Sequence, residues 1–157
     1  MNLEDNLDQV KQIVKEFFNK TSFDLEVYFL PIKDNTLSIE IKTTEPQILI
    51  GEGGQTLADL QHILKAVLRR KIEEPFYLDI DINDYKKKKV EYLKELARTT
   101  ADEVALSRKE KELIPMRSFE RRIVHMELAE RNDVTTESIG DGPERRIVIK
   151  PSKESIF

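Results

Sequence analysis

Leu49–Ile50–Gly51–Glu52–Gly53–Gly54–Gln55–Thr56–Leu57 is a glycine-bounded loop that opens a helix. Glycine lets the backbone take positive φ and approach a ligand closely. The free amides of the helix's first turn can meet a phosphate. Upstream, Leu7, Val10, Ile13, Val14 and Phe17 fall at helical spacing and predict a helix over residues 5–19. Phe23, Leu25, Val27 and Phe29 alternate and predict a strand over 23–30. Leu37, Ile39 and Ile41 mark its hairpin partner over 36–42, with a turn from Pro31 to Asn35. A short segment at 47–50 leads into the loop. The helix after it, over 55–71, carries Leu57, Leu60, Leu64, Val67 and Leu68 on one face. Glu73–Pro75 ends it. Leu78, Ile80 and Ile82 point inward from a strand over 77–82. The order is helix, strand, strand, short helix, helix, strand.

A second stretch, Met116–Arg117–Ser118–Phe119–Glu120–Arg121–Arg122–Ile123–Val124–His125, sets Arg121 and His125 four apart on a helix predicted over 118–131. Between the two stretches, Asn83 or Asp84 caps a long helix reaching about Leu106. Its buried stripe is Leu93, Leu96, Ala97, Thr100, Ala101 and Val104. This helix links two domains, 1–83 and 84–157, with no Gly/Ser spacer. Residues 113–116 are extended. Strands over 134–138 and 145–150 are joined by the turn-rich Gly140–Asp141–Gly142–Pro143. The class is α+β.

Composition removes several functions. The 157 residues contain no cysteine, so disulfides and thiolate zinc sites are excluded. The two histidines, His62 and His125, lie far apart, and no Asp-x-Asp-x-Asp-Gly loop is present. No metal or other cofactor is implied. No apolar run approaches the ~20 residues of a membrane span. The acidic start Met1–Asn2–Leu3–Glu4–Asp5 is unlike a signal peptide, and cytoplasm is the expected location. The net charge of −4 disfavours strong non-specific nucleic-acid affinity, but it is unevenly spread. Residues 1–83 carry 9 Lys+Arg against 15 Asp+Glu; residues 84–157 carry 17 against 15. An electrostatic anchor for nucleic acid therefore belongs to the C-terminal half.

The candidate binding residues follow from chemistry. Arginine offers a planar fork suited to phosphate, and histidine donates to phosphate or stacks on a base. Arg121, Arg122 and His125 sit on the second motif's helix, and Arg145 and Arg146 on a basic strand. Four lysines, Lys86 to Lys89, stand near a helix start, where cations oppose the helix dipole. Lys86 and Lys87 are thus phosphate-contact candidates, and a solvated lysine face offset by Asp84 is the other reading. Gly51, Glu52, Gly53 and Gly54 complete the set. His62 is read as a partly exposed structural residue. Arg69–Arg70–Lys71 is read as a helix C-terminal cluster, and Tyr85 and Tyr92 as packing between the domains. An enzyme is disfavoured. No nucleophile–base pair or carboxylate cluster is evident, and the glycine loop lacks the Lys-Ser/Thr end of a P-loop.

The αββααβ order with Gly51-x-x-Gly54 between its two adjacent helices resembles the type II K-homology (KH) domain. Pro115–Met116, the Arg121/His125 pair, Ser138-x-Gly140 and Arg145–Arg146–Ile147–Val148–Ile149 together resemble the Arg-xxx-His domain. That is a small α/β fold that binds single-stranded nucleic acid. The two in this order resemble the Jag (SpoIIIJ-associated, KhpB-like) family of bacterial RNA-binding proteins. Gln55–Thr56–Leu57, Leu60–Gln61, Leu78–Asp79–Ile80 and Leu96–Ala97 with Ala101 extend the match over about residues 5–152. The resemblance implies single-stranded RNA (or DNA) as partner and a post-transcriptional or cell-growth regulatory role. It also implies pairing with a small KH-domain protein or a second copy. Glu52 and Gly53 depart from the basic residue common in KH loops, and a carboxylate near a phosphate costs ~1 kcal/mol. The separate N-terminal Jag domain of longer members has no counterpart in this sequence.

Two functions from different classes follow. The first is a two-module RNA-binding regulator whose weak sites reinforce one another. The second is a protein-interaction adaptor whose KH-like domain serves dimerisation or docking.

Overall fold

A computed structural model describes residues 2–153. The chain is α+β and divides into two compact units, Met1–Lys86 and Lys87–Phe157.

In the first unit, α1 (Leu7–Asn19) is followed by β1 (Leu25–Phe29) and β2 (Thr36–Thr43). These strands pair antiparallel, with Leu25 opposite Thr43 and Phe29 opposite Ile39. The hairpin turns on Asp34 and Asn35, with φ of 49° and 56°. Both residue types tolerate this left-handed region, and two such residues in succession match the right-handed twist of a hairpin. Then come α2 (Pro46–Ile50), a short 3-10 turn (Glu52–Gly54) and α3 (Gln55–Leu68). This helical connection is the crossover that lets β3 (Tyr77–Ile82) lie parallel to β2, with Ile39 opposite Ile80. The sheet order is β1-β2-β3. Leu37, Ile39, Ile41, Leu78, Ile80 and Ile82 are buried with Val10, Val14 and Phe18 of α1 and Leu57, Leu64 and Leu68 of α3. Phe18, rather than Phe17, is the buried member of that pair, and Phe17 meets it edge-on at 5.1 Å.

A long helix, α4 (Tyr85–Ser107), runs across the division at Lys86. Its start narrows the expected cap, Asn83 or Asp84. Asn83 and Asp84 both take positive φ, 49° and 58°. The Asn83 side chain accepts from the Thr43 amide and donates to the Thr43 carbonyl, so it serves the end of β2 rather than the helix. The buried carboxylate of Asp81 receives the amides of Lys86 at 3.0 Å and Ile82 at 2.8 Å.

The second unit adds β4 (Lys111–Glu112), α5 (Ser118–Leu128), β5 (Val134–Ile139) and β6 (Arg146–Pro151). The sheet order is β4-β6-β5, antiparallel throughout. Ala97, Ala101 and Val104 of α4 and Val124 and Leu128 of α5 are buried with Leu113, Val134, Ile147 and Ile149. Helix α5 stops three residues short of the expected Arg131. Arg131 turns away to bond Asp133 through two nitrogens and Asp102 through a third contact.

Replacing Asp81 with alanine is expected to lower the unfolding free energy by ~1–2 kcal/mol, because two amides lose their carboxylate. A urea titration followed by circular dichroism checks this; an unchanged midpoint would remove Asp81 from the role of cap.

Candidate nucleic-acid interface

The glycine loop is built by backbone conformation. Gly51, Gly53 and Gly54 have φ of 71°, 59° and 81°, a region that disfavours side chains. Behind the loop the space is full. A Cβ on Gly51 would collide with the Thr56 side chain, and one on Gly54 would meet the Tyr85 ring at 3.1 Å. Gly53 faces open space and is exposed. Leu49 and Leu57 anchor the two ends in the core. The loop is thus tightly held on one side and open on the other. Its exposed side chain is the carboxylate of Glu52.

In the second unit, Arg121 and His125 share one flank of α5, one turn apart. Arg121 donates from Nη1 to the Met116 carbonyl at 2.7 Å. The Met116 amide in turn donates to the Arg145 carbonyl at 3.1 Å, so the approach to α5 is stitched to the start of β6. His125 Nδ1 lies 2.6 Å from the Thr136 hydroxyl on β5. Its Nε2 has no hydrogen bond among the described residues. Burial, and then the Arg121 charge, push the His125 pKa below its ordinary 6.5. Both effects favour the neutral imidazole. Two residues along β5, the Ser138 hydroxyl is buried and lacks a partner among the described residues.

Glu120 holds the helix start. It is only 6% exposed. Its Oε2 accepts the Arg117 amide at 2.9 Å, and its Oε1 faces Lys89 Nζ at 3.6 Å. On the outer side, Arg122 is exposed and has no hydrogen bond or ion pair among the described residues.

The remaining candidates are placed differently. Arg146 is engaged by the Glu112 carboxylate at 2.7 Å and the Glu144 carbonyl at 3.1 Å. Arg145 donates to the Gly140 carbonyl at 2.9 Å. Lys86 is held by Asp79 and Gln61 within the first unit. Lys87 is exposed. Tyr85 packs against the first unit's core, whereas Tyr92 is 55% exposed with Lys89 Nζ 5.8 Å from its ring centre. Thr136 and Glu120 are two functional supports absent from the sequence-derived candidates. Thr136 shares inward parity with Val134 on an alternating strand, which is a usable signal. Glu120 reads as an ordinary helical surface charge and offers none.

The second unit is similar to a known domain family, the R-three-H domain. Residues 91–151 match it, a span that includes Arg121, His125 and all of β5. The chain is also homologous to bacterial proteins named RNA-binding protein KhpB. It is 34% identical over 142 residues to that of Lactiplantibacillus plantarum, covering 90% of this chain and 42% of the relative. For Bacillus subtilis the identity is 34% over 116 residues, 73% of this chain and 56% of the relative. For Streptococcus pneumoniae it is 29% over 147 residues, 92% and 45%. The chain thus spans about half the length of the curated relatives it matches. Among the described residues no helix is long and apolar enough to cross a membrane.

Two outcomes follow for the loop and the R-three-H domain. Gly51→Ala is expected to cost roughly 1–3 kcal/mol of stability, through collision and positive φ. Gly53→Asn should stay within about 0.5 kcal/mol, since asparagine accepts left-handed backbone and the site is open. Urea unfolding of both variants separates these, and equal losses would contradict the geometry. For His125, a proton NMR titration should give a midpoint below 6.5. Folding favours the neutral ring, so its contribution is present above 6.5 and lost as pH falls through the lower folded value. Arg121→Gln should raise the midpoint yet leave it under 6.5, because burial is the larger cause. A wild-type midpoint at or above 6.5 would refute this.

Proposed function

We propose that this chain binds single-stranded RNA, with single-stranded DNA as the chemically similar second ligand, through the outer face of α5 in its R-three-H domain. The observation that carries the reading is the grouping of Arg121, Arg122 and His125 on one helix. Arg122 has no partner among the described residues, and His125 keeps Nε2 open. Guanidinium groups recognise phosphate with paired donors. In a chain of net charge −4 such contacts must be local. The names of the KhpB relatives support the choice of RNA.

The first unit is read as a type II KH-like domain. Its αββααβ order, its antiparallel then parallel pairing and a loop with three positive-φ glycines support this. In this reading Gly51 to Gly54 pass along a nucleic-acid backbone as a secondary contact. Lys86, Lys87, Arg145 and Arg146 are proposed as supporting cations, and each of Lys86 and Arg146 must first release its present carboxylate partner. The protein would act without catalysis, as a cytoplasmic regulator of RNA. A specific observation favours a second reading for the first unit alone. The exposed Glu52 on the loop and the 15 acidic against 9 basic residues of positions 1–83 suit docking of a small KH-domain protein or a second copy.

Fluorescence anisotropy with a short labelled single-stranded RNA, at several salt concentrations, tests both. Arg121→Ala with His125→Ala is expected to weaken binding at least ~10-fold, the loss of one or two charge-assisted hydrogen bonds. Gly53→Asp should weaken it much less. No wild-type binding at low salt would refute the RNA reading. A protein complex that survives the double substitution would establish the adaptor role.

A further inference from the structure

We infer that Phe119, flanked by Arg122 and Met126, is a base-stacking surface that takes an unpaired base of the strand whose backbone Arg121 and His125 hold. This rests on the reading of α5 as a single-strand binding face and names how that face would meet bases. Phe119 is 55% exposed and Met126 65% exposed. The other apolar residues of this helix behave conventionally, for Val124 and Leu128 are buried and Ile123 partly so. Positions 119, 122 and 126 share one helical stripe, beside the stripe of Arg121 and His125. Two large apolar side chains with a cation between them therefore stand outside the core. The Phe119 ring makes no aromatic or cation–π contact among the described residues.

Charge decides what covers this stripe. An apolar protein surface would leave the Arg122 guanidinium desolvated and unpaired, which is costly. A second copy docking through the same face would bring Arg122 and Arg121 toward their own counterparts. A nucleotide meets both needs, since its base offers a flat apolar face and its phosphate a charge. Arg122 can also stack on a base, and the thioether of Met126 adapts to irregular contact. From Phe119 to Met126 the helix rises roughly 10 Å, enough for a base and its neighbour.

The chain has no tryptophan, so Phe119→Trp places a single indole at the proposed contact. Adding single-stranded RNA should quench its emission, with the midpoint that anisotropy gives for the same variant. Phe119→Ala should bind ordinary RNA at least ~5-fold more weakly than wild type, and Phe119→Tyr should restore most of that. Against an abasic ribose-phosphate strand of equal length, wild type and Phe119→Ala should bind alike. Tight binding without quenching, and without loss in Phe119→Ala, would overturn the stacking surface while leaving the RNA reading intact. No binding by any variant would overturn both. Concentration-dependent sedimentation of the wild type, abolished by Phe119→Ala, would overturn it in favour of self-association through the stripe.

Discussion

The carboxylate of Glu120 sits where solvent scarcely reaches it, inside the first turn of α5. A buried charge without compensation costs several kcal/mol. Here the Arg117 amide bonds it and Lys89 of α4 stands 3.6 Å away. The helix start is thereby fixed at the place that puts those donors within reach. Arg121 is the next residue, and Arg122 and His125 follow by helical geometry. On the other flank Thr136 ties the His125 ring to β5. The α5 face is therefore held from both sides, by an ion contact to a helix and a hydrogen bond to a strand. Preorganised donors lose less entropy when a ligand arrives, which favours affinity from few contacts.

The two units solve the problem of backbone approach differently. In the first, shape dominates. Three glycines take positive φ, Thr56 and Tyr85 fill the space behind two of them, and the exposed side is bare apart from Glu52. In the second, charge dominates. Lys89 belongs to the structural half of that charge, since it serves Glu120, and the tetralysine run is not a uniform phosphate patch. Lys86 likewise answers Asp79 and Gln61. Arg146 answers Glu112. Arg122, which has no ion-pair partner among the described residues, gains meaning from that contrast.

Much of the fold was legible in the chain because apolar residues alternate or recur with the right period. The strands at 25–29, 36–43 and 77–82, and the buried stripe of α4, follow directly from that pattern. The parallel pairing of β2 with β3 did not follow, because periodicity carries no partner. Of the two capping candidates legible in the chain, Asn83 or Asp84, Asn83 does not face the helix. Its side chain bonds Thr43 instead, and the Lys86 amide falls to Asp81, whose acidic side chain reads as a solvent-facing strand residue. In the candidate site, the Arg121 and His125 spacing was visible at once. Their supports were not. Thr136 and Glu120 act through contacts across 11 and 31 residues of sequence, and the Glu112 partner of Arg146 lies 34 residues away. Such pairings exist only once the helix and sheet have packed.

The outer face of α5 and its β5 support are proposed to receive the single strand. Nitrogen-15 labelled protein titrated with a short single-stranded RNA tests this residue by residue. The largest amide shift changes are expected at Phe119, Arg121, Arg122, His125 and Thr136, with smaller ones at Gly51 to Gly54. Changes confined to the first unit, or none on α5 at saturating RNA, would contradict it.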